Sequence, residues 1–138
     1  RHYMAYAFNH GFPGKKMMVT DVCVPLSELA KGIKTARQVL DEVALPGGIV
    51  GHVGDGNFHA LVMIDIDNPE EVKRADYFNE KIVQFALENG GTCTGEHGVG
   101  VGKMKYQQQE HGAAYELMKL LKKTLDPNNL FNPGKLIE

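Results

Sequence analysis

Ile49-Val50-Gly51-His52-Val53-Gly54-Asp55-Gly56-Asn57-Phe58-His59-Ala60 is the stretch whose reading decides the fold. Apolar residues flank Asp55-Gly56 on both sides. Asp-Gly between two β-rich runs signals a two-residue hairpin turn, because Gly takes positive φ at little cost and Asp tolerates it. Counting outward from such a turn, Gly54 faces Asn57, Val53 faces Phe58 and His52 faces His59. Directly opposed residues share a face, with Cβ atoms roughly 4.5–5.5 Å apart. Two imidazoles would then point the same way from neighbouring strands, within reach of one metal ion. Two readings stand open here: the histidines cap a core face, or they are metal ligands.

Upstream of the hairpin, Met17–Val24 is β-rich and bounded by Pro25, which reads as a strand. Thr20 and Asp21 interrupt its apolar character, and a carboxylate there is expected to be solvated or capping, with a role in a site as the minority reading. Leu26, Leu29, Ala30, Ile33, Ala36, Leu40 and Val43 follow the three-and-four spacing of one helix face. Leu45-Pro46-Gly47-Gly48 ends that helix and re-aims the chain. Residues 1–9 could be a helix end or a strand end, and Gly11–Lys16 is a turn by composition.

Downstream, Asn57 to about Asp65 is the second hairpin arm. Asn68 is a good N-cap, Pro69 suits the first helical position, and Glu71 stands three residues after the cap. The following helix runs to a stop at Gly90-Gly91. Residues 103–125 are expected to form one last helix with an apolar stripe at Ala113, Ala114, Leu117, Leu120, Leu121, Thr124 and Leu125. The order strand, helix, strand, strand, helix, Gly-rich loop, helix implies an α+β fold. It is a ferredoxin-like, split βαβ arrangement: an antiparallel sheet with helices packed on one face.

The bulk numbers set limits. The chain has 138 residues, enough for one domain (1–138) with a real core. Charge is −2, which by itself points to neither nucleic acid nor an acidic membrane surface. Cys23 and Cys93 are too few for a disulfide scaffold. No apolar run approaches the roughly 20 residues that span a bilayer. The chain opens Arg1-His2-Tyr3-Met4, and it reads as a piece cut from a longer protein.

Gly91-Thr92-Cys93-Thr94-Gly95-Glu96-His97-Gly98-Val99-Gly100-Val101-Gly102 is the second unusual stretch. Glycines at this density cannot be helix filler, since each costs roughly 1 kcal/mol against Ala. Their spacing fits neither a P-loop nor a dinucleotide fingerprint. Glu96 is the natural third ligand beside His52 and His59, because a carboxylate suits the same ions as imidazole. Three ligands with open positions would be a catalytic geometry. Successive residues of an extended loop point apart, so His97 could face a substrate held on the metal and move its proton. The bland alternative is a solvated loop dipeptide. His2, His10 and His111 have no such company and read as surface residues.

Gly51–His59, Gly91–Gly100 and Asp126–Lys135 (Asp-Pro-Asn-Asn-Leu-Phe-Asn-Pro-Gly-Lys) together resemble the C-terminal domain of FAD-linked oxidases of the vanillyl-alcohol oxidase type. Thr20-Asp21-Val22-Cys23-Val24-Pro25-Leu26-Ser27 is similar to the branch that holds the D-lactate dehydrogenases (cytochrome) and, next to them, the glycolate oxidase D subunit. The resemblance implies that an FAD-binding domain precedes this one, which is the substrate or cap domain. It implies oxidation of a D-2-hydroxy acid (D-lactate or glycolate) to the 2-oxo acid, with hydride passing to the flavin and electrons to a cytochrome or other carrier. It places metal ligands at His52, His59 and Glu96, the catalytic base at His97, a substrate-gripping arginine at Arg1, and a flavin-approaching residue at Asn132. The divalent metal would be zinc or manganese. Related 2-hydroxyglutarate dehydrogenases carry Asn two residues after the second His. Here the position is Leu61, which suggests a smaller, less polar substrate.

Without the FAD-binding domain the chain is expected to be inert, since the hydride acceptor is missing. The expected location is cytoplasmic or peripheral to an energy-transducing membrane in bacteria, and mitochondrial in eukaryotes. The rival reading is a non-catalytic metal- or small-molecule-binding ferredoxin-like module working as a homodimer. It leaves Glu96-His97 unexplained. A stand-alone metal hydrolase is a third class, which ester turnover without flavin would favour.

Overall fold

The structure is a computed structural model that describes residues 3–137. The backbone groups into two compact units, Arg1–Glu96 and His97–Glu138.

The first unit opens with helix α1 (Met4–Gly11), followed by strands β1 (Lys16–Val19) and β2 (Val22–Cys23). Helix α2 (Leu26–Glu42), strands β3 (Gly47–His52) and β4 (Asn57–Ile64), and helix α3 (Pro69–Glu88) complete it. β4 is the central strand, antiparallel to β1 and β2 on one side and to β3 on the other. β2 and β3 therefore run parallel to each other with β4 between them and α2 as the crossover, the split βαβ arrangement. Residues 4–9, left open by the sequence, are helical, and the helix runs on to Gly11, where a turn was expected to begin.

The strand expected over Met17–Val24 is broken at Thr20-Asp21, yet its register is continuous. Val19 faces Leu61 and Val22 faces Phe58, so Asp21 stands at the level of His59. The break is a substitution in the hydrogen-bond ladder, described below. A single bridge from Cys23 to Thr92 extends the same edge.

Alternation along β4 divides its side chains between two faces. Phe58, Ala60 and Val62 point to the layer of α2 and α3, where Val22, Ala36, Leu40, Phe78, Ile82, Val83 and Ala86 are buried with them. Gly32 lets α2 approach closely, since a Cβ there would lie 3.1 Å from both the Phe58 and Phe85 rings. Asn57, His59, Leu61 and Met63 point to the opposite face, and on that side the Phe8 ring of α1 lies against Gly48.

The cap of α3 follows the sequence signal. Asn68 Oδ1 accepts from the N–H groups of Glu70 and Glu71, and Pro69 occupies the first turn. Glu71 does not reach back to its own cap. Its carboxylate accepts from Asp65 N at 2.8 Å and from Lys15 Nζ at 2.6 Å. Gly90 takes φ +73° just past the helix end, and Gly91 N donates to Ala86 O at 2.7 Å, which closes the last turn.

The second unit corrects the expected single helix over 103–125. A 3-10 turn (Met104–Tyr106) leads into α4 (Gln107–His111), and α5 (Ala113–Leu125) follows. Gly112 separates them at φ 52°, ψ −126°, a backbone conformation no helix contains. The apolar stripe is open: Leu117, Leu120, Leu121 and Leu125 are 51–78% exposed. Asp126 caps the end of α5. It accepts from Lys122 and from the backbone N–H groups of Leu130 and Phe131, which hold its carboxyl below the usual range. Among the described residues no helix is long and apolar enough to cross a membrane.

Candidate metal centre

The hairpin register differs from the expectation. β3 runs through His52, Val53–Asp55 forms one 3-10 turn, and Gly56 closes the loop at φ +75°. His52 faces Asn57, and His59 faces Val50. The two-residue turn at Asp55-Gly56 is thus a four-residue loop. A side chain at Gly56 is impossible here, because its Cβ would sit 2.0 Å from Val24 O. The register has moved by two residues. An even shift keeps every side chain on its face, so His52 and His59 still share one, as diagonal neighbours. Their ring centroids are 6.3 Å apart and the rings nearly perpendicular.

Glu96 meets both histidines. Its Oε1 lies 3.4 Å from His52 Nε2 and 3.1 Å from His59 Nε2. The three donor atoms fall within 4.8 Å of one another. Two atoms bound tetrahedrally to one ion, each roughly 2.1 Å from it, stand roughly 3.4 Å apart. Two imidazole nitrogens and a carboxylate oxygen at this spacing are a donor set that could hold a divalent ion. The His59 side chain is 9% exposed, against 34% for His52 and 48% for Glu96. One of the three side chains is therefore embedded in the sheet, and the other two open towards solvent.

What holds His59 is its Nδ1, 3.1 Å from Thr20 O. A carbonyl only accepts, so in this bond Nδ1 carries the proton and Nε2 keeps its lone pair. Thr20 O is available because the ladder does not use it. Ala60 N donates to Thr20 Oγ1 at 2.9 Å, while Thr20 N donates to Ala60 O at 3.0 Å. The hydroxyl replaces the carbonyl, which is why the strand breaks at Thr20.

Glu96 is held by Asp21, whose side chain is 1% exposed. Asp21 accepts from Asn57 Nδ2 at 2.9 Å, Thr94 Oγ1 at 3.0 Å, Gly95 N at 2.9 Å and Glu96 N at 3.0 Å. The loop can lie this close only because residue 95 is Gly: a Cβ there would be 1.7 Å from Asn57 Nδ2. Gly51 serves similarly across the hairpin, where a Cβ would meet Asn57 O at 2.4 Å. Asn57 Oδ1 is buried and carries no hydrogen bond to another residue.

The expected site residues thus divide into groups. His52, His59 and Glu96 come together. His97 is exposed at the start of the second unit. Asn132 is exposed there too, at φ +47° in a turn closed by Lys135 N to Asn132 O. Arg1 lies outside the described residues. Sequence reasoning favoured a solvated or capping carboxylate at Asp21 and kept a site role as the minority reading. The signal that could have placed it is the pairing of residues 16–23 with β4, which sets Asp21 beside His59.

Residues 4–136 match the family of FAD linked oxidases, C-terminal domain. The chain is a member of that family. Among curated relatives, the mitochondrial D-lactate dehydrogenase (cytochrome) of Arabidopsis thaliana is 52% identical over 91% of this chain and 22% of its own length. Glycolate oxidase subunit GlcD of Bacillus subtilis is 38% identical over 86% of this chain and 26% of its own. This C-terminal domain thus spans about a quarter of the relatives it matches. A solved structure, 4-ethylphenol oxidase from Gulosibacter chungangensis, superposes with TM-score 0.66 at 21% identity, covering 94% of this chain and 26% of that one. That likeness establishes the shared α+β fold of the FAD-linked oxidase C-terminal domain.

Proposed function

We propose that this chain is the substrate-side domain of an FAD-dependent D-2-hydroxy-acid dehydrogenase that converts D-lactate to pyruvate. The observation that carries the reading is the convergence of His52 Nε2 and His59 Nε2 on Glu96 Oε1 at 3.4 and 3.1 Å. The D-lactate dehydrogenase names of relatives at 52% and 48% identity support the substrate.

In this reading His52, His59 and Glu96 hold a divalent ion, zinc or manganese. When bound, such an ion supplies Lewis acidity at the substrate hydroxyl. His97 takes the hydroxyl proton as the C2 hydrogen leaves with its electron pair, giving the 2-oxo acid. The flavin, held mainly by the rest of the polypeptide, supplies the hydride acceptor. Arg1 grips the substrate carboxylate, and Asn132 approaches the flavin. Leu61, on the face of His59 and two residues beyond it, keeps that wall apolar and favours a small substrate. Electrons then pass to a cytochrome or comparable carrier, and in a eukaryote the location is mitochondrial.

The test is metal content and D-lactate oxidation with an artificial electron acceptor, measured on the full-length flavoprotein. Wild type should carry near-stoichiometric metal and reduce its flavin with D-lactate. His52→Ala and Glu96→Ala should lose the ion, and His97→Ala should keep it while losing turnover. Metal retained in both ligand variants, or flavin not reduced by D-lactate, would refute the reading.

A further inference from the structure

We infer that Asp21 is the positioning residue that shapes the metal centre from behind. The inference rests on reading His52, His59 and Glu96 as metal ligands. Glu96 lies within a glycine-rich segment and has no helix or strand to aim it. Its backbone N–H donates to Asp21 Oδ2 at 3.0 Å, and its neighbours Gly95 and Thr94 are tied to the same oxygen through Gly95 N and Thr94 Oγ1. The other carboxylate oxygen accepts from Asn57 Nδ2 at 2.9 Å. Asn57 is the β4 residue paired with His52. Asp21 Oδ1 also lies 3.5 Å from His59 Nδ1. One buried carboxylate thus touches the loop that carries Glu96, the strand partner of His52, and the ring of His59.

Three of these bonds fall on Oδ2 and one on Oδ1. Asp21 is thereby tied to the backbone and side chains on which Glu96 and His52 are mounted. Bonds from N–H groups to an ionised acceptor are the strong class, and groups behind a metal's ligands fix their orientation. Asp21 acts this way on two of the three ligands at once. Neighbouring Thr20 completes the arrangement by setting the His59 tautomer through its carbonyl.

The intact flavoprotein, stripped of metal, is titrated with Zn²⁺ and with Co²⁺, whose visible bands report coordination geometry. Asp21→Asn should weaken Zn²⁺ binding about 10–100-fold and alter the Co²⁺ bands, with the far-ultraviolet circular dichroism of wild type. Wild-type affinity and bands in this variant would overturn the inference. Should Asp21→Asn not fold, Thr94→Val decides, because it removes one donor and strands no buried charge. Binding weakened about tenfold supports the inference, and unchanged binding overturns it. His52→Ala separates this from the reading beneath. If that variant holds Zn²⁺ as tightly as wild type, the metal reading itself fails. If His52→Ala alone loses the ion, the metal reading stands and Asp21 has no part in it.

Discussion

The Thr20 hydroxyl occupies the place of its own carbonyl in the ladder, accepting Ala60 N–H at 2.9 Å, and the released carbonyl meets His59 Nδ1 at 3.1 Å. One side-chain oxygen thereby satisfies the sheet and frees a backbone acceptor for an imidazole. Thr20→Val keeps the shape and removes that oxygen. Either Ala60 N–H is left without a partner in a site that is 1% exposed, or the carbonyl returns to the ladder and abandons His59. A buried donor left unmatched costs about 1–3 kcal/mol. Urea unfolding should show a loss of that order for Thr20→Val, accompanied by weaker zinc binding. Thr20→Ser should behave like wild type. If Thr20→Val matched wild type in both measurements, the hydroxyl would not be holding the arrangement.

Gly95 is the point of closest approach between the Glu96 loop and the sheet. The Cβ of Gly95→Ala would stand 1.7 Å from Asn57 Nδ2 and 2.8 Å from Asp21 Oδ1. Neither neighbour can yield freely, since Asn57 Nδ2 is bonded to Asp21 and to Val22 O. The loop must lift, which carries Glu96 away from the histidines. Gly95→Ala should therefore lose stoichiometric metal and destabilise the fold by about 1–3 kcal/mol, the range of overpacking. Gly54→Ala is the control, because a Cβ at Gly54 meets nothing within 4 Å.

The sequence carried some of this and not the rest, for identifiable reasons. Asn68-Pro69 marked a helix start because capping chemistry is local, and the cap is in place. The histidine pair was legible despite a wrong register, because Asp55-Gly56 signals a loop without fixing its length and the error was an even number of residues. Gly112 was passed over within a helical periodicity, and only its dihedrals reveal the break. The stripe at Leu117, Leu120, Leu121 and Leu125 illustrates a different limit. Periodicity identifies an apolar face but not whether anything covers it. Asp21 was hidden most deeply. Its meaning depends on β4 and on residues 94–96, so no window around Val19–Val22 contains it.

Glu71 ties three segments together: Lys15 before β1, Asp65 at the end of β4, and its own first turn of α3. Its carboxyl lies below the ordinary value of 4.5, chiefly through the hydrogen bond from Lys15 and then that from Asp65 N. A depressed folded pKa stabilises the fold above the ordinary value, and the contribution is lost as pH falls through the lower folded one. Wild type should therefore resist urea better than Glu71→Gln at pH 7. The gap should close as the pH is taken below 4.5. A gap of constant size from pH 7 to pH 3 would assign the effect to packing rather than charge.

Leu61 offers the sharpest check on the substrate. It shares its face with His59, is 6% exposed, and faces Gly48 on β3 and Val19 on β1. On the proposed reading, an apolar wall beside His52, His59 and Glu96 would leave the distal carboxylate of a dicarboxylic hydroxy acid without a donor, at a cost of about 1–3 kcal/mol by the measure of an unmatched polar group. Leu61→Asn supplies an amide at that position. In the full-length flavoprotein, the ratio of kcat/KM for D-lactate to that for D-2-hydroxyglutarate should fall about tenfold or more, through gain on the longer acid as well as loss on lactate. Asn57 lies on the same face, two residues before His59, with its Oδ1 buried, so a second amide at 61 has polar company along that strand. An unchanged ratio, with metal content and stability intact, would show that Leu61 does not face the substrate.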